Sequence, residues 1–234
     1  MFCTGIKDLV PIDGSFQEKF ALNAFGEEPS LSGNYFALRI SRANHSCCPN
    51  ACHNFDENAR VEILFAQREI QAGEEICISY LSFSNISKKR MFSMLLPPER
   101  EFRMIKAQLK FRGIECPADC FCNDPNIRSL VVKGRKLNIE VEKLADSGNP
   151  VASLIAAKEL LDIQETIHSS LISIANTRYK SFQIAVLSSK TLPQASKHIQ
   201  YVHDLYASVC PYSNSKYERL VKNFSLDENY LRFG

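Results

Sequence analysis

The run Asn44-His45-Ser46-Cys47-Cys48-Pro49-Asn50 gathers side chains that could bind a ligand or a metal. Asparagine, serine and proline at this density interrupt helices and strands, so the run predicts a tight polar loop. By itself it is compatible with a surface turn whose His and Asn side chains satisfy the backbone. Its functional interpretation therefore depends on the rest of the chain.

A second group is formed by Cys116, Cys120 and Cys122, three cysteines within seven residues. Thiolates this close repel one another unless a cation neutralises them, and Zn²⁺ prefers four such ligands in a tetrahedron. Because the group supplies three, a fourth ligand has to come from elsewhere. The alternative is a set of free thiols or a redox-labile loop. The candidates for the fourth ligand are the histidines, Cys47, Cys48, Cys52 and Cys77.

Two further patterns are a rival set of metal ligands and a segment that ends in a tyrosine. A metal site built from Cys47, Cys48, Cys52 and His53 alone is less favoured, because adjacent residues chelate one metal poorly. The stretch from Gly73 to Tyr80 predicts a turn that leads into a strand ending in tyrosine. A half-buried aromatic residue of that strand is the simplest interpretation of Tyr80 taken singly.

Taken together and in this order, the three patterns resemble a known family. NHSCCPN, then GEEICISY, then a predicted helix and the cysteine group resemble the C-terminal part of a SET domain with its post-SET zinc segment. The resemblance covers roughly residues 18–125. The segment Leu22–Gly26 also resembles the Asn-x-Phe segment of the SET-and-MYND branch and of fungal relatives, which carry a helical C-terminal region. SET proteins are S-adenosylmethionine-dependent protein lysine methyltransferases.

The resemblance implies a role for each matching residue. Tyr80 matches the tyrosine most closely tied to methyl transfer. Cys47 matches the cysteine that joins three post-SET cysteines on zinc, here Cys116, Cys120 and Cys122. The residues that match positions in contact with the methyl donor are Asn23, Ser41, Asn44 and His45.

These residue types suit the implied chemistry. Methyl transfer from a sulfonium to a neutral lysine amine is an in-line displacement, so most of the catalysis is positioning in a dry channel. A tyrosine hydroxyl and backbone carbonyls can accept weak C–H···O contacts from the polarised methyl group. Zinc would be structural, and would tie the segment after the predicted helix to the loop that contains Cys47.

Two departures from the family pattern lead to expectations of their own. The cysteines are spaced Cys-x-x-x-Cys-x-Cys instead of Cys-x-Cys-x-x-Cys, and no donor contact is assigned to Arg112 or Ile114, which stand where relatives often have aromatic residues. The sequence also contains no Gly-x-Gly, the unit that begins SET domains and supplies much of the donor site. We therefore expect a partial SET fold in which S-adenosylmethionine binds weakly or not at all.

The elements that must position these residues differ between the two halves. In the first half, Phe36–Ser41, Val61–Phe65 and Glu75–Leu81 predict strands, and the sequence after Pro98 predicts a helix. In the second half, four amphipathic helices with short connections predict an antiparallel bundle or helical hairpins. The first is indicated by an N-cap at Asn149-Pro150 and an apolar stripe from Leu160 to Ile174. The second and third are indicated by apolar residues spaced along Tyr179–Val186 and Ile199–Val209. The fourth begins with a capping box at Ser215 and Glu218.

Composition narrows the possible functions. A net charge of +2 over 234 residues gives no electrostatic signal for nucleic acid, and no run of 18 apolar residues predicts a membrane span. The N-terminus has no signal-peptide pattern, so the nine cysteines are not read as a disulfide framework, and we expect a location in the cytoplasm or nucleus.

The sequence thus predicts an α+β protein: a partial SET β-fold with a post-SET zinc segment over residues 1–126, and an all-helical region over residues 127–234. The expected function is lysine methylation of a protein substrate, a histone or another protein, with S-adenosylmethionine and Zn²⁺ as cofactors. The alternative is a catalytically silent zinc-binding module whose helices present a groove to a partner.

Overall fold

A computed structural model describes residues 13–15, 17, 19, 23, 37–56, 58–80, 107, 110, 113–116, 118–210 and 215–226. Two parts follow each other along the chain. Residues 37–80 and 113–124, called the strand part here, contain short strands and turns. Residues 125–226 are called the helical region, because those of them that the structure describes are almost entirely helical. Of the helix predicted after Pro98, the structure describes only residues 107 and 110, and both are helical.

The strand part contains two pairs of strands. Strands β1 (Asn44–His45) and β4 (Cys77–Ile78) pair in parallel, although they are far apart in sequence. Strands β2 (Ala51–Asp56) and β3 (Val61–Ala66) form an antiparallel hairpin. The prediction of a strand at Val61–Phe65 is confirmed. Strand β2 was not predicted, because His, Asn and Asp rarely favour strands, and its ladder with β3 supplies the stabilisation that propensity does not.

The structure corrects three expectations about the strand part. Of the predicted strand at Phe36–Ser41, the described residues 37–41 form a turn that leads into the 3₁₀ helix Ile40–Arg42, and the Ser41 amide donates to the Ala37 carbonyl at 2.8 Å. Within the described residues 75–80 of the strand predicted at Glu75–Leu81, regular pairing is limited to β4. The predicted loop from Asn44 to Asn50 begins as strand β1, because its backbone pairs with β4 and polar side chains do not prevent that pairing.

The helical region holds five described α-helices where four were predicted. Two discrepancies have local causes. The first helix was missed, although Asp124 caps it and Pro125 occupies its first position. The stripe from Leu160 to Ile174 was read as one helix, but it is divided by a turn at which Ser170 caps a new helix and accepts the Ser173 amide. The five helices are α1 (Pro125–Asp146), α2 (Pro150–Thr166), α3 (Leu171–Ala185), α4 (Ala195–Val209) and α5 (Ser215–Leu226).

Successive helices pack against each other in chain order, so each short connection joins spatial neighbours. Their facing sides form one buried apolar core that includes Val141, Leu160, Phe182, Ile199 and Val202. The predicted N-cap at Asn149 is present, and its side chain accepts the Ala152 amide at 3.2 Å. No helix within the described residues is both long and apolar enough to cross a membrane.

The helical region contacts the strand part through the beginning of α3 and the end of α4. The Leu171 amide donates to Gln67 Oε1 at 3.0 Å. The Asn54 side-chain amide contacts the buried Cys210 sulfur at 3.1 Å. These bonds hold the β2–β3 hairpin against the helices.

Candidate functional site

Four cysteines from two distant segments meet in the strand part. The Sγ atoms of Cys47, Cys116, Cys120 and Cys122 all lie within 4.8 Å of one another. Cys47 lies in the loop after β1, and Cys120 and Cys122 lie at the start and middle of a short 3₁₀ turn. Within the described part of the chain this is the only such group of three or more candidate ligands.

The spacing of the four sulfurs suits a tetrahedral ion. Cys47 Sγ lies 3.6 Å from Cys116 Sγ, and Cys122 Sγ lies 3.4 Å from Cys120 Sγ. A zinc ion with Zn–S bonds of about 2.3 Å would place its four sulfurs roughly 3.8 Å apart. Small adjustments would therefore bring the group to ligand geometry.

The protonation of these thiols is coupled to metal binding. Burial, and then the negative charge of Cys122, raise the pKa of Cys47 well above its usual value. Burial, together with the hydrogen bond with Cys120, raises the pKa of Cys122 to about 12. Without a cation the group therefore retains protons, and a divalent metal would have to displace them.

The cysteine segment is fixed to the helical region by Arg128 of α1. Its Nε donates to the Cys122 carbonyl at 3.0 Å, and Nη2 donates to Asn123 Oδ1 at 3.1 Å. A ring contact adds to this connection, since the Phe121 and His168 centroids lie 5.6 Å apart. The sequence patterns did not point to Arg128.

Tyr80 lies against the segment that contains Asn44 and His45. Its backbone amide donates to His45 Nδ1 at 3.0 Å, and its hydroxyl donates to the Ala43 carbonyl at 2.7 Å. The Tyr80 and His45 rings are tilted, with centroids 5.4 Å apart. The β1–β4 pairing thus brings together residues that are distant in sequence.

The same histidine reaches the cysteine group. His45 Nε2 lies 3.2 Å from Cys47 Sγ, so the imidazole lies between the Tyr80 backbone and one candidate metal ligand. Sequence motifs placed His45 in the candidate site, but they gave no indication that its two ring nitrogens face different partners.

Asn44 and Asn50 bind the turn that precedes β4. The Asn44 side chain is exposed and donates to Glu75 Oε1 at 2.6 Å. The Asn50 side chain donates to Glu74 Oε1 at 2.9 Å and accepts the Cys77 amide at 2.9 Å. Hydrogen bonds from Arg68, and then from Asn50, lower the pKa of Glu74 to about 2. Asn50 was not among the predicted site residues, although it ends the same polar run.

Asn23 and Ser41 form a separate buried pair. The Ser41 hydroxyl donates to the Asn23 carbonyl at 2.9 Å, and the Asn23 side chain donates to the Lys19 carbonyl at 2.8 Å. Ser41 lies in the 3₁₀ helix just before β1, which puts this pair at the start of the segment containing Asn44 and His45.

Comparison with known proteins shows that most of the strand part is similar to a known domain. Residues 12–81 match the model of the SET domain. This part of the chain is therefore similar to a SET domain. The matched range contains Tyr80, Cys47 and the four proposed donor contacts, whereas the other three cysteines follow it.

Curated relatives match over short stretches. Protein-lysine N-trimethyltransferase SMYD5 of Mus musculus is 42% identical over 108 residues, which is 45% of this chain and 24% of the relative. The Homo sapiens protein of that name is 40% identical over 67 residues, 29% of this chain and 16% of the relative. SET domain-containing protein SmydA-8, isoform B, of Drosophila melanogaster is 29% identical over 122 residues, 48% of this chain and 26% of the relative. The chain therefore spans about a quarter or less of these relatives.

Proposed function

We propose that the chain is a protein lysine N-methyltransferase that uses S-adenosylmethionine, with Tyr80 as its catalytic residue. The observation that carries the proposal is the placement of Tyr80 against the Ala43–His45 segment, within the range matched to the SET domain. The mouse and human relatives are named protein-lysine N-trimethyltransferases, and these names support the reaction class.

The hydrogen bond of Tyr80 orients its oxygen for this role. Because the hydroxyl proton is donated to the Ala43 carbonyl, the lone pairs of the oxygen are directed elsewhere. They can accept C–H···O contacts from a polarised methyl group and hold it in line with the attacking amine. When bound, S-adenosylmethionine supplies that methyl group on a sulfonium. Asn23, Ser41, Asn44 and His45 are the proposed contacts to the methyl donor.

The proposed metal is Zn²⁺, held by Cys47, Cys116, Cys120 and Cys122. Four thiol sulfurs within 4.8 Å suit its preference for tetrahedral thiolate ligands. The ion would be structural and would join the loop after β1 to the segment that leads into α1. The proposed substrate is a lysine of a histone or another protein, and the proposed location is the cytoplasm or nucleus. The division into residues 1–126 and 127–234 remains a prediction.

Methyl transfer by the purified, zinc-loaded chain tests the proposal. Radiolabelled S-adenosylmethionine at saturating concentration would be supplied with histone and non-histone lysine substrates, because weak donor binding is expected. Tyr80→Phe should reduce the rate on the order of a hundredfold or more, since the variant lacks the oxygen that aligns the methyl group. Tyr201→Phe, which alters a tyrosine of α4, is the matched control and should retain the rate.

Two outcomes would contradict the proposal. The first is methyl transfer by Tyr80→Phe as fast as by the unaltered chain, which would remove Tyr80 from the reaction. Calorimetric titration could also show no S-adenosylmethionine binding by the zinc-loaded chain. The second result would favour the alternative function, a zinc-binding module that interacts with another protein.

A further inference from the structure

The His45 ring has a polar partner on each nitrogen. Nδ1 lies 3.0 Å from the Tyr80 amide nitrogen, and Nε2 lies 3.2 Å from Cys47 Sγ. Both contacts are partly buried, which reduces competition from water. His45 thus joins the backbone of the proposed catalytic tyrosine to a proposed metal ligand.

The partners determine the tautomer of the ring. A backbone amide can only donate, so Nδ1 must accept and cannot carry a proton. In the neutral ring the proton is then on Nε2, where it points at the Cys47 sulfur. A cysteine sulfur held in place by a metal is a strong and fixed acceptor for this N–H group.

We infer that His45 is a positioning residue that couples metal binding to the placement of Tyr80. A Cys47 sulfur that is held by the metal stays beside Nε2 and fixes the ring, and the fixed ring presents Nδ1 to the Tyr80 amide. Without the metal the sulfur is no longer held in the tetrahedron, so the Nε2–H···S contact is not maintained and the ring is released. The inference rests on the proposed metal site, and it adds a link between that site and Tyr80.

Two substitutions separate the two ends of this link. In His45→Asn the amide oxygen can occupy the place of Nδ1 and still accept the Tyr80 amide, but nothing reaches Cys47. In His45→Gln the longer side chain can place its amide N–H near the position of Nε2 and still donate to Cys47, but the acceptor for Tyr80 is displaced. Each variant retains one hydrogen bond and loses the other.

The readouts are metal retention and amide exchange, both independent of methyl transfer. Zinc retention is measured by competition with a chelator, and hydrogen exchange at the Tyr80 amide is measured with and without zinc. The Gln67 amide, which donates to the Asn50 carbonyl at 2.8 Å, reports general loosening of the neighbouring hairpin. Exchange at Tyr80 is therefore compared with exchange at Gln67 in the same sample.

In the unaltered chain, we expect zinc to slow exchange at Tyr80 about tenfold more than at Gln67. This difference should disappear in both variants. Zinc retention should weaken by roughly ten- to a hundredfold in His45→Asn, as for other lost partners of metal ligands, and much less in His45→Gln.

Several results would overturn the inference and leave the proposed function intact. One is zinc bound at one equivalent without a selective effect on Tyr80 exchange. A second is that zinc slows exchange at the Tyr80 amide in both variants as much as in the unaltered chain. A third is that both variants retain zinc equally well. A chain that binds no zinc would instead contradict the metal site itself, so the two failures can be told apart.

Discussion

The strand part and the helical region are stabilised by different interactions. Among the residues that the structure describes, fourteen buried side chains form one apolar cluster in the helical region, whereas the cluster in the strand part consists of Ile40, Ala51 and Ile78. The strand part instead has many side-chain hydrogen bonds, made by residues such as Asn50, His45 and Tyr80. The chemistry is thus concentrated where apolar burial is smallest.

The free energies of these interactions show how much a bound metal would matter to each part. Full burial of a large apolar side chain contributes about 1.5–3 kcal/mol, and a typical hydrogen bond contributes about 0.5–1.5 kcal/mol net. Structural zinc in zinc-finger peptides binds with about 10–16 kcal/mol at neutral pH. A metal at the four cysteines would therefore be the largest single contribution to the strand part and a minor one to the helical core.

Loss of the metal should have the largest effect, and it should destabilise the strand part while the helical region stays folded. Cys120→Ser is expected to abolish stoichiometric zinc binding, because three thiolates do not complete the tetrahedron. Amides of β1 to β4 should then exchange at least a hundredfold faster, while those of α2 to α4 keep their protection. Metal analysis and hydrogen exchange on the same samples measure both effects.

Cys48→Ser is the matched control for this experiment. Cys48 is exposed and lies outside the group of four sulfurs, so the variant should bind zinc at one equivalent. Full zinc occupancy in a Cys47→Ser/Cys122→Ser double variant would instead rule out the proposed ligand set.

A cavity in the helical core should instead destabilise the helical region. Phe182 is 4% exposed within the apolar cluster, so Phe182→Ala should lower the free energy of unfolding of the helical region by about 3–5 kcal/mol. Chemical denaturation measures this loss. Leu187→Ala is the control, because Leu187 is 63% exposed and its truncation should cost no more than about 0.5 kcal/mol. Equal losses in the two variants would contradict the assigned core.

The connection between the two parts should show an intermediate effect. Arg128→Gln removes the hydrogen bonds to Cys122 and Asn123, and it should weaken zinc retention about tenfold because the cysteine segment is less well fixed. Chelator competition measures the change. Lys133→Gln removes a cation of the same helix that pairs with Glu159 on the surface, and it should leave zinc retention unchanged. Reduced retention in both variants would point to a general charge effect.

Sequence predicted the helical region well where local signals were strong. The N-cap at Asn149 and the start of α5 at Ser215 agree with the sequence, because the start of a helix depends on a few local residues. The break between α2 and α3 was missed, since the apolar stripe continues across it. A cap at Ser170 and a positive φ of 50° at His168 outweigh that periodicity.

The strand part shows the limit of sequence for a site made of distant segments. The grouping of Cys47 with the three later cysteines was predicted from a family motif, and the geometry agrees with it. The pairing of β1 with β4 and the double role of His45 could not be predicted from local patterns. Both arise from contacts between residues that the backbone brings together only after folding.

The smallest predicted effect is a pH dependence confined to the helical region. Burial, and then the positive charges of Arg178 and Lys197, lower the pKa of His198 to about 4, whereas an unfolded chain titrates near 6.5. Between these values the unfolded state binds a proton that the folded state does not bind. The free energy of unfolding should therefore fall as the pH falls from about 6.5 to about 4, and should be fully restored above that window.

Because His198 is only partly buried, solvent screening reduces the expected loss to about 1–2 kcal/mol. Denaturation of the metal-free chain at pH 7 and pH 4.5 measures it without interference from zinc release. His198→Gln cannot take up the proton and should lose that much less stability over the same interval. His203→Gln, a histidine of the same helix that pairs with Asp204, should show the change of the unaltered chain. If His198→Gln and the unaltered chain lose equal stability on acidification, the burial of His198 does not contribute to the pH dependence of the helical region.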